Sequence, residues 1–429
     1  MRVAIVTAGA AGMICGSCLN DNTLARALVG LGHDALLVPT YTPITTDNPD
    51  ASLKRVFMGG VRIYLEQKYG WFRALPRWST AWLDSRPILN LAGKFAGMTN
   101  YSSLGELTLS LLAGDHGPHK QEMKSLIDFL ADEVQPDLVH FSNALISGII
   151  PMLRERLRCP IVVELQGDDI FLEGLLPSHR TRAIEAIRSN CSEVARFHAT
   201  ATDYSRYMAE YLGIGSNRFR AIHPGIDLAG FPELPHRRKA GQPLRLGYFA
   251  RICPEKGLDT LIDAWLLLRQ RPGLENLVLQ VGGWLGGANI GYWRKQIAKV
   301  HQAGQSAGFL HRPSPTLADK LAFLADCDLF SVPARMREPK GIYLLEAWAH
   351  GIPAIQPAYG SFPELIEATG GGILVERENP ASLADGIERL ARDETLAAQL
   401  GAAGFAAVRR DFDAGRMARE TLQSYQEIS

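Results

Sequence analysis

Short apolar runs recur along the first half of the chain, separated by stretches with helical spacing. Val3–Thr7, Ala35–Pro39, Val61–Tyr64, Leu138–Phe141, Ile161–Glu164, His198–Ala201 and Phe219–Ile222 predict strands. Most are apolar at consecutive rather than alternate positions, which suits a parallel sheet covered by helices on both faces. Asn20–Leu31, Glu122–Glu133 and Thr181–Arg196 carry helical patterns between them. The alternation then breaks at FPELPHRRKAGQP, Phe231 to Pro243, a proline- and charge-rich run of linker type. Beyond it the strands restart at Leu246–Ala250, Leu277–Val281, Phe309–Leu310, Leu329–Val332, Ala354–Gln356 and Ile373–Val375.

The simplest architecture is α/β, with two doubly wound domains joined by one linker. The first would span residues 1–235 and the second 236–411, with a helix over 412–429 crossing back to pack on the first. Ligands of such sheets bind at the carboxyl ends of the strands. A shared substrate is therefore expected in a cleft between the domains. One stretch departs from the alternation. Gln67 to Leu112 holds Trp71, Phe72, Trp78, Trp82, Phe95 and Tyr101 among Lys68, Arg73, Arg77, Arg86 and Lys94. It reads as an insertion of irregular helices, either a cap with buried aromatics or an acceptor- or membrane-contacting patch.

Length supports the division, since 429 residues exceed what one core usually organises. Lysine and arginine balance aspartate and glutamate at 45 each. That gives no bulk attraction to nucleic acid, whose binders usually carry a basic excess. Six scattered cysteines fit a reducing compartment. With no signal-peptide pattern and no apolar run of membrane-spanning length, a cytoplasmic protein is expected, with peripheral membrane contact left open.

Four segments of the second half carry chemistry. In GYFARICPEKGLDTLIDAW, a strand ends just before Arg251, and Lys256-Gly257 opens a helix. Two cations beside helix N–H groups form a candidate anion site, although basic residues at a helix start are often only solvated. In EPKGIYLLEAWAHGIPAIQPAYGSFPELI, Glu338 precedes a helix and Glu346 sits eight positions later among apolar neighbours. A carboxylate there needs a partner: the vicinal hydroxyls of a sugar, or an internal salt bridge. Val281-Gly282-Gly283 supplies a glycine bend after a strand, and AIHPGIDLAGF a tight Pro-Gly turn.

The order HPGID, R-x4-KG, a glycine bend and E-x7-E followed by EAWAHGIPAI and GSFPELI resembles glycosyltransferase family 4, the retaining group of the GT-B fold. GMICGSCLNDNTLARALVGLGHDALLVPTY looks like that family's glycine loop, first helix and second strand. The resemblance implies that Arg251 and Lys256 meet the diphosphate of a nucleotide-sugar donor and that Glu338 faces the donor sugar. It also implies that Glu346 binds the ribose hydroxyls, and that backbone N–H groups around Lys340, Gly341 and Ile342 touch sugar or phosphate. Gly282 belongs to the donor side, while Gly12 and Gly16 fall in the glycine loop of the first domain. The implied reaction moves a hexosyl group from a nucleoside diphosphate sugar to a carbohydrate, lipid-linked or small-molecule acceptor. It would retain configuration and need no metal or cofactor.

One position departs from the family. In VVELQGDDIF, Gln166 stands where relatives carry a histidine against the donor sugar, with Asp168 and Asp169 as possible helpers. Asn143, after the Leu138–Phe141 strand, is a further acceptor-side candidate. Cys15 and Cys18 lack the second pair of a zinc site and are read as small residues of the glycine loop. A sugar-nucleotide epimerase, a glycosyl phosphorylase and a non-catalytic binding protein of the same architecture stay open as alternatives.

Overall fold

The computed structural model describes residues 1–9, 16–44, 49–53, 56–58, 101–238, 241–314 and 316–429, apart from the side chains of 101–103. The Val61–Tyr64 strand, most of the 67–112 insertion, Gly12 and Cys15 lie outside the described residues. The chain divides into two compact units, Met1–His223 with Met417–Ser429, and Pro224–Arg416.

Unit 1 is a six-stranded sheet in the order β2-β1-β3-β4-β5-β6, with every neighbour parallel. Its strands are β1 Arg2–Thr7, β2 Asp34–Pro39, β3 Leu138–Phe141, β4 Ile161–Leu165, β5 Arg196–Ala199 and β6 Phe219–Ala221. The consecutive apolar residues have the expected cause. Ala4, Val6, Val139, Phe141 and Val163 point into one core, and Val3, Ile5, Leu138 and Val162 into another on the opposite face. The second core is closed by Leu24 and Leu28 of the helix Gly16–Gly30 and by Met417, Leu422 and Tyr425 of the helix Ala414–Gln426. Tyr425 is fully buried, and its hydroxyl lies 2.5 Å from His140 Nδ1 in the middle of β3.

Unit 2 repeats the plan as β12-β11-β10-β7-β8-β9, again all parallel. Here β7 is Arg245–Phe249, β8 Val278–Gly282, β9 Phe309–His311, β10 Leu329–Phe330, β11 Ala354–Pro357 and β12 Gly372–Val375. Trp265 and Trp348 are fully buried, and each donates its indole N–H to a backbone carbonyl, of Leu277 and Gly371.

The sequence boundary at 235/236 moves to 223/224 because residues 224–236 pack within unit 2. Ile226 N–H donates to the Phe412 carbonyl at 3.0 Å, Arg409 donates to the Pro232 carbonyl, and His236 N–H donates to His350 O at 2.7 Å. The return boundary falls at 416/417 rather than 411/412 for the same reason, since Ile226 and Asp413 form a parallel bridge. Two further expectations shift. The strand placed at His198–Ala201 starts and ends two residues earlier, because Ala201 caps the helix Thr202–Leu212. The helix placed at Thr181–Arg196 runs from Pro177 to Asn190, with proline setting its first turn and Arg196 opening β5.

Candidate functional site

In doubly wound sheets the ligand edge is where the strand order reverses. In unit 2 that point lies between β7 and β10, which pair directly. β7 leads to Arg251, which is exposed, and then through the short turn Pro254–Lys256 to Gly257 and the helix Leu258–Leu268. β10 leads to Glu338. The two segments meet: Lys256 Nζ donates to Glu338 Oε2 at 2.5 Å, with Lys256 7% and Glu338 3% exposed.

Glu338 is the hub of this cluster. Tyr343 donates its hydroxyl to Oε2 at 3.0 Å, and the N–H groups of Lys340 and Gly341 each approach Oε1 at 3.3 Å. Lys256 also stands 5.2 Å from the centre of the Tyr343 ring. Burial alone would raise the Glu338 carboxyl. The charge and hydrogen bond of Lys256, with Lys340 and the Gly341 N–H, outweigh it and bring the value down to about 2. Tyr343 is pushed well above its ordinary value by burial and by Glu338, so it stays a donor. The backbone N–H groups expected to reach toward a ligand at 340 and 341 are thus turned to Glu338, and Ile342 begins the helix Ile342–Ala349 as a buried residue.

Gly341 adopts φ +64°, a left-handed conformation that caps this helix. An added Cβ would come within 2.7 Å of Leu365 Cδ1, a movable methyl, so the cost of Gly341→Ala is mainly conformational. The expected loss is about 1–2 kcal/mol, read as a lowered urea midpoint at unchanged m-value. Gly282 closes β8 for another reason. A Cβ there would meet the Phe249 and Phe323 rings at 2.7 and 2.9 Å.

Glu346 faces inward with Lys320 of the helix Leu317–Ala325, whose Nζ donates to Oε1 at 2.5 Å. Both are buried, at 6% and 4% exposure. Of the two readings left open by the sequence, the internal salt bridge is the one present here. Lys320 went unnoticed in the sequence, although a lysine within LADKLAFLA is a polar break in an apolar helix face.

In unit 1 the order reverses between β1 and β3. Gln166 follows β4 on that edge and is 4% exposed. Its side-chain Nε2 donates to Asp21 Oδ1 at 2.7 Å and lies 3.4 Å from the Ser142 carbonyl. Asp168 accepts from the N–H groups of Ala144 at 2.7 Å and Gln166 at 3.0 Å, tying the loops after β3 and β4. Burial raises Asp168 to about 6 against those bonds. Asp169 accepts from the Tyr204 hydroxyl at 2.5 Å. Asn143 caps the turn Ala144–Ile149 by accepting from Leu145 N–H at 3.0 Å. Each of these three acceptor-side candidates is thus engaged by neighbouring backbone or hydroxyl groups. Gly16 is the exposed first residue of the helix Gly16–Gly30, and Cys18 is buried in it.

A buried polar network missed in the sequence continues from here. Asn20 donates to Glu164 Oε1 at 3.1 Å, Glu164 Oε2 lies 3.1 Å from His140 Nε2, and His140 reaches Tyr425. The available signals were NDNT inside a helix and a histidine within the apolar strand LVHF. Among the described residues, no helix is long and apolar enough to cross a membrane.

Residues 234–406 match the family model described as glycosyl transferases group 1, and residues 22–225 match a glycosyl transferase 4-like domain. The chain is 31% identical over 204 residues to a GDP-mannose-dependent alpha-(1-6)-phosphatidylinositol monomannoside mannosyltransferase of Mycobacterium tuberculosis. That alignment covers 46% of this chain and 50% of the relative, so the match spans about half of that protein. It is 27% identical over 319 residues to a D-inositol 3-phosphate glycosyltransferase of Nocardioides sp., covering 69% of each. Among solved structures, Anabaena HepE in complex with UDP superposes with a TM-score of 0.68 at 17% identity, over 100% of both chains. Sucrose-phosphate synthase from Thermosynechococcus elongatus gives 0.70 at 16%, over 100% of this chain and 99% of that one. At such identities these likenesses establish the fold, that of GT-B glycosyltransferases built from two parallel-sheet α/β domains.

Proposed function

From the premise that the chain belongs to the glycosyl transferases of group 1, we propose that it moves a hexosyl group from a nucleoside diphosphate sugar to a hydroxyl acceptor with retention of configuration. The observation carrying this reading is the Lys256–Glu338 pair at the switch point of unit 2, with exposed Arg251 following β7 on the same segment as Lys256. Breaking a glycosyl–phosphate bond leaves negative charge on the departing diphosphate and positive charge on the sugar. A lysine fixed in place before the reaction stabilises the former without reorganising. Glu338 holds that lysine, and in this reading its carboxylate would face the sugar on which positive charge develops. Glu346, released from Lys320 or sharing it, offers a carboxylate to ribose hydroxyls. The leaving phosphate oxygen takes the acceptor proton on the same face, so no second carboxylate is needed.

The relatives' names supply the first acceptors to try, since both contain inositol. The test is transfer from UDP-, GDP- and ADP-hexoses to inositol 3-phosphate and to phosphatidylinositol mannoside vesicles, with the anomeric coupling of the product read by NMR. Product of unchanged anomeric configuration is expected with one donor base preferred. Inverted product would sink the retaining mechanism. Donor affinity without turnover on any acceptor would leave a binding protein.

A further inference from the structure

Resting on that reading, in which Lys256 meets the diphosphate, we propose that Tyr343 is a positioning residue that fixes the Lys256 ammonium and shares Glu338 with it, so that the ammonium keeps charge to offer the diphosphate. Tyr343 touches both members of the pair. Its hydroxyl donates to Glu338 Oε2 at 3.0 Å, the same oxygen that accepts from Lys256 Nζ at 2.5 Å. The centre of its ring stands 5.2 Å from that ammonium. Lys256, Glu338 and Tyr343 all belong to unit 2, so the arrangement is complete within it.

The ring packs against two phenylalanines. It is tilted against Phe330 at the end of β10, with centroids 6.3 Å apart, and against Phe362, which opens the helix Phe362–Thr369, at 6.4 Å. Both phenylalanines are fully buried. Tyr343 itself stands in the first turn of the helix Ile342–Ala349, so its backbone is fixed as well. Burial and the Glu338 charge hold the hydroxyl well above its ordinary value, and it keeps its proton for the carboxylate.

A lysine paired with one carboxylate presents a dipole rather than a full charge to a third group, because the two fields oppose each other. Here further donors are turned on the carboxylate. Tyr343 adds an O–H dipole at Oε2, and Lys340 and Gly341 turn their N–H dipoles toward Oε1 at 3.3 Å. Their positive ends screen part of the carboxylate field, and a carboxylate has lone pairs for all four donors. The ring face meanwhile attracts the ammonium and limits where it can move. Without the hydroxyl, Glu338 would draw Lys256 more strongly and offset more of its charge. That loss falls most heavily where negative charge is largest, on the departing diphosphate rather than on the bound donor.

The experiment compares Tyr343→Phe with the wild type, a change that keeps the ring and its packing and removes one hydroxyl. The readouts are steady-state transfer from the donor the wild type prefers and calorimetric binding of UDP, GDP and ADP. The variant should lower kcat about tenfold, with KM within about twofold, and weaken the preferred nucleoside diphosphate about tenfold. In a Lys256→Met background the same change should cost nothing further in kcat, because it acts only through that lysine. A merely structural hydroxyl would lower the thermal midpoint and leave kcat unchanged. The binding readout does not depend on the Lys256 variant folding. Wild-type kcat and diphosphate affinity in Tyr343→Phe would overturn the proposal, as would an equal tenfold loss in the Lys256→Met background. In either case a Lys256→Met enzyme impaired as expected leaves the functional reading standing. A wild type that turns over no donor and binds none of the three diphosphates overturns that reading and this one together.

Discussion

Lys256→Met is expected to reduce kcat for the proposed glycosyl transfer about a hundredfold, the loss of roughly 3 kcal/mol that would follow removal of one pre-placed charge donor at a transition state. Methionine approximates the length and volume of the lysine stem, so the change removes charge more than packing. The variant should also be less stable. Glu338 would keep Tyr343 and the two backbone N–H groups but lose its buried counter-charge. Breaking a buried pair from one side typically costs about 3–5 kcal/mol. The two effects separate in Lys256→Met/Glu338→Gln, which neutralises both partners. Thermal stability should return most of the way, while activity should not. An active double variant would mean that the pair is structural only. The pair also sets a pH dependence. Glu338 is held below its ordinary value, at about 2. Its contribution to stability is full above the unfolded carboxyl value of about 4.5 and is lost as pH falls from there toward 2.

Ending the chain after Arg416 is expected to abolish the native fold of unit 1 while leaving unit 2 folded. The deletion removes Met417, Ala418, Leu422 and Tyr425 from a core that also holds Val3, Ile5, Leu24, Leu37 and Val162. Truncating one large aromatic to alanine already costs about 3–5 kcal/mol, against a total domain stability of about 5–15. Polar losses add to this. His140 loses Tyr425, His198 loses the Ser424 hydroxyl at 2.8 Å, and Arg196 and Arg220 lose Glu427. Limited proteolysis followed by mass spectrometry should show residues 1–223 degraded and 224–416 protected. Equal protection of both would show that the 417–429 segment is dispensable. Tyr425→Phe, which keeps the ring and loses one hydrogen bond, should cost only about 1 kcal/mol.

The sheets were legible because burial on both faces writes itself into consecutive apolar residues. β3 at Leu138–Phe141 was read without error. Strand ends were harder. Ala199, Thr200 and Ala201 continue the β5 pattern, and only the helix beginning at Thr202 shows where the strand stops. The second-unit cluster was legible as a list, since Arg251, Lys256, Glu338 and Glu346 fall in a recognisable order. Their partners were not. Lys256 and Glu338 lie 82 positions apart, Lys320 and Glu346 26, and Gln166 and Asp21 145. Such pairings depend on which helix crosses which strand end, and no local spacing encodes that. Asp168 and Asp169 show the same limit from the other side. Acidic residues beside a strand end suggest a ligand, and here they accept from loop N–H groups and a tyrosine hydroxyl.

Unit 1 is discontinuous in the chain, and that has a consequence for the order of events during synthesis. Domains usually fold as they emerge, the N-terminal one first. Here residues 1–223 leave the ribosome early yet wait for Met417 to Tyr425 to close their second core. Residues 224–416 are contiguous and can finish first. The nascent chain thus carries a face of β1, β3 and β4, lined by Val3, Ile5, Leu138 and Val162 and covered only in part by the helix Gly16–Gly30, throughout the translation of roughly two hundred further codons. Slow elongation over that span, or a shortage of chaperones that shield apolar strands, should lower the yield of folded protein more than any change to unit 2 of similar thermodynamic size.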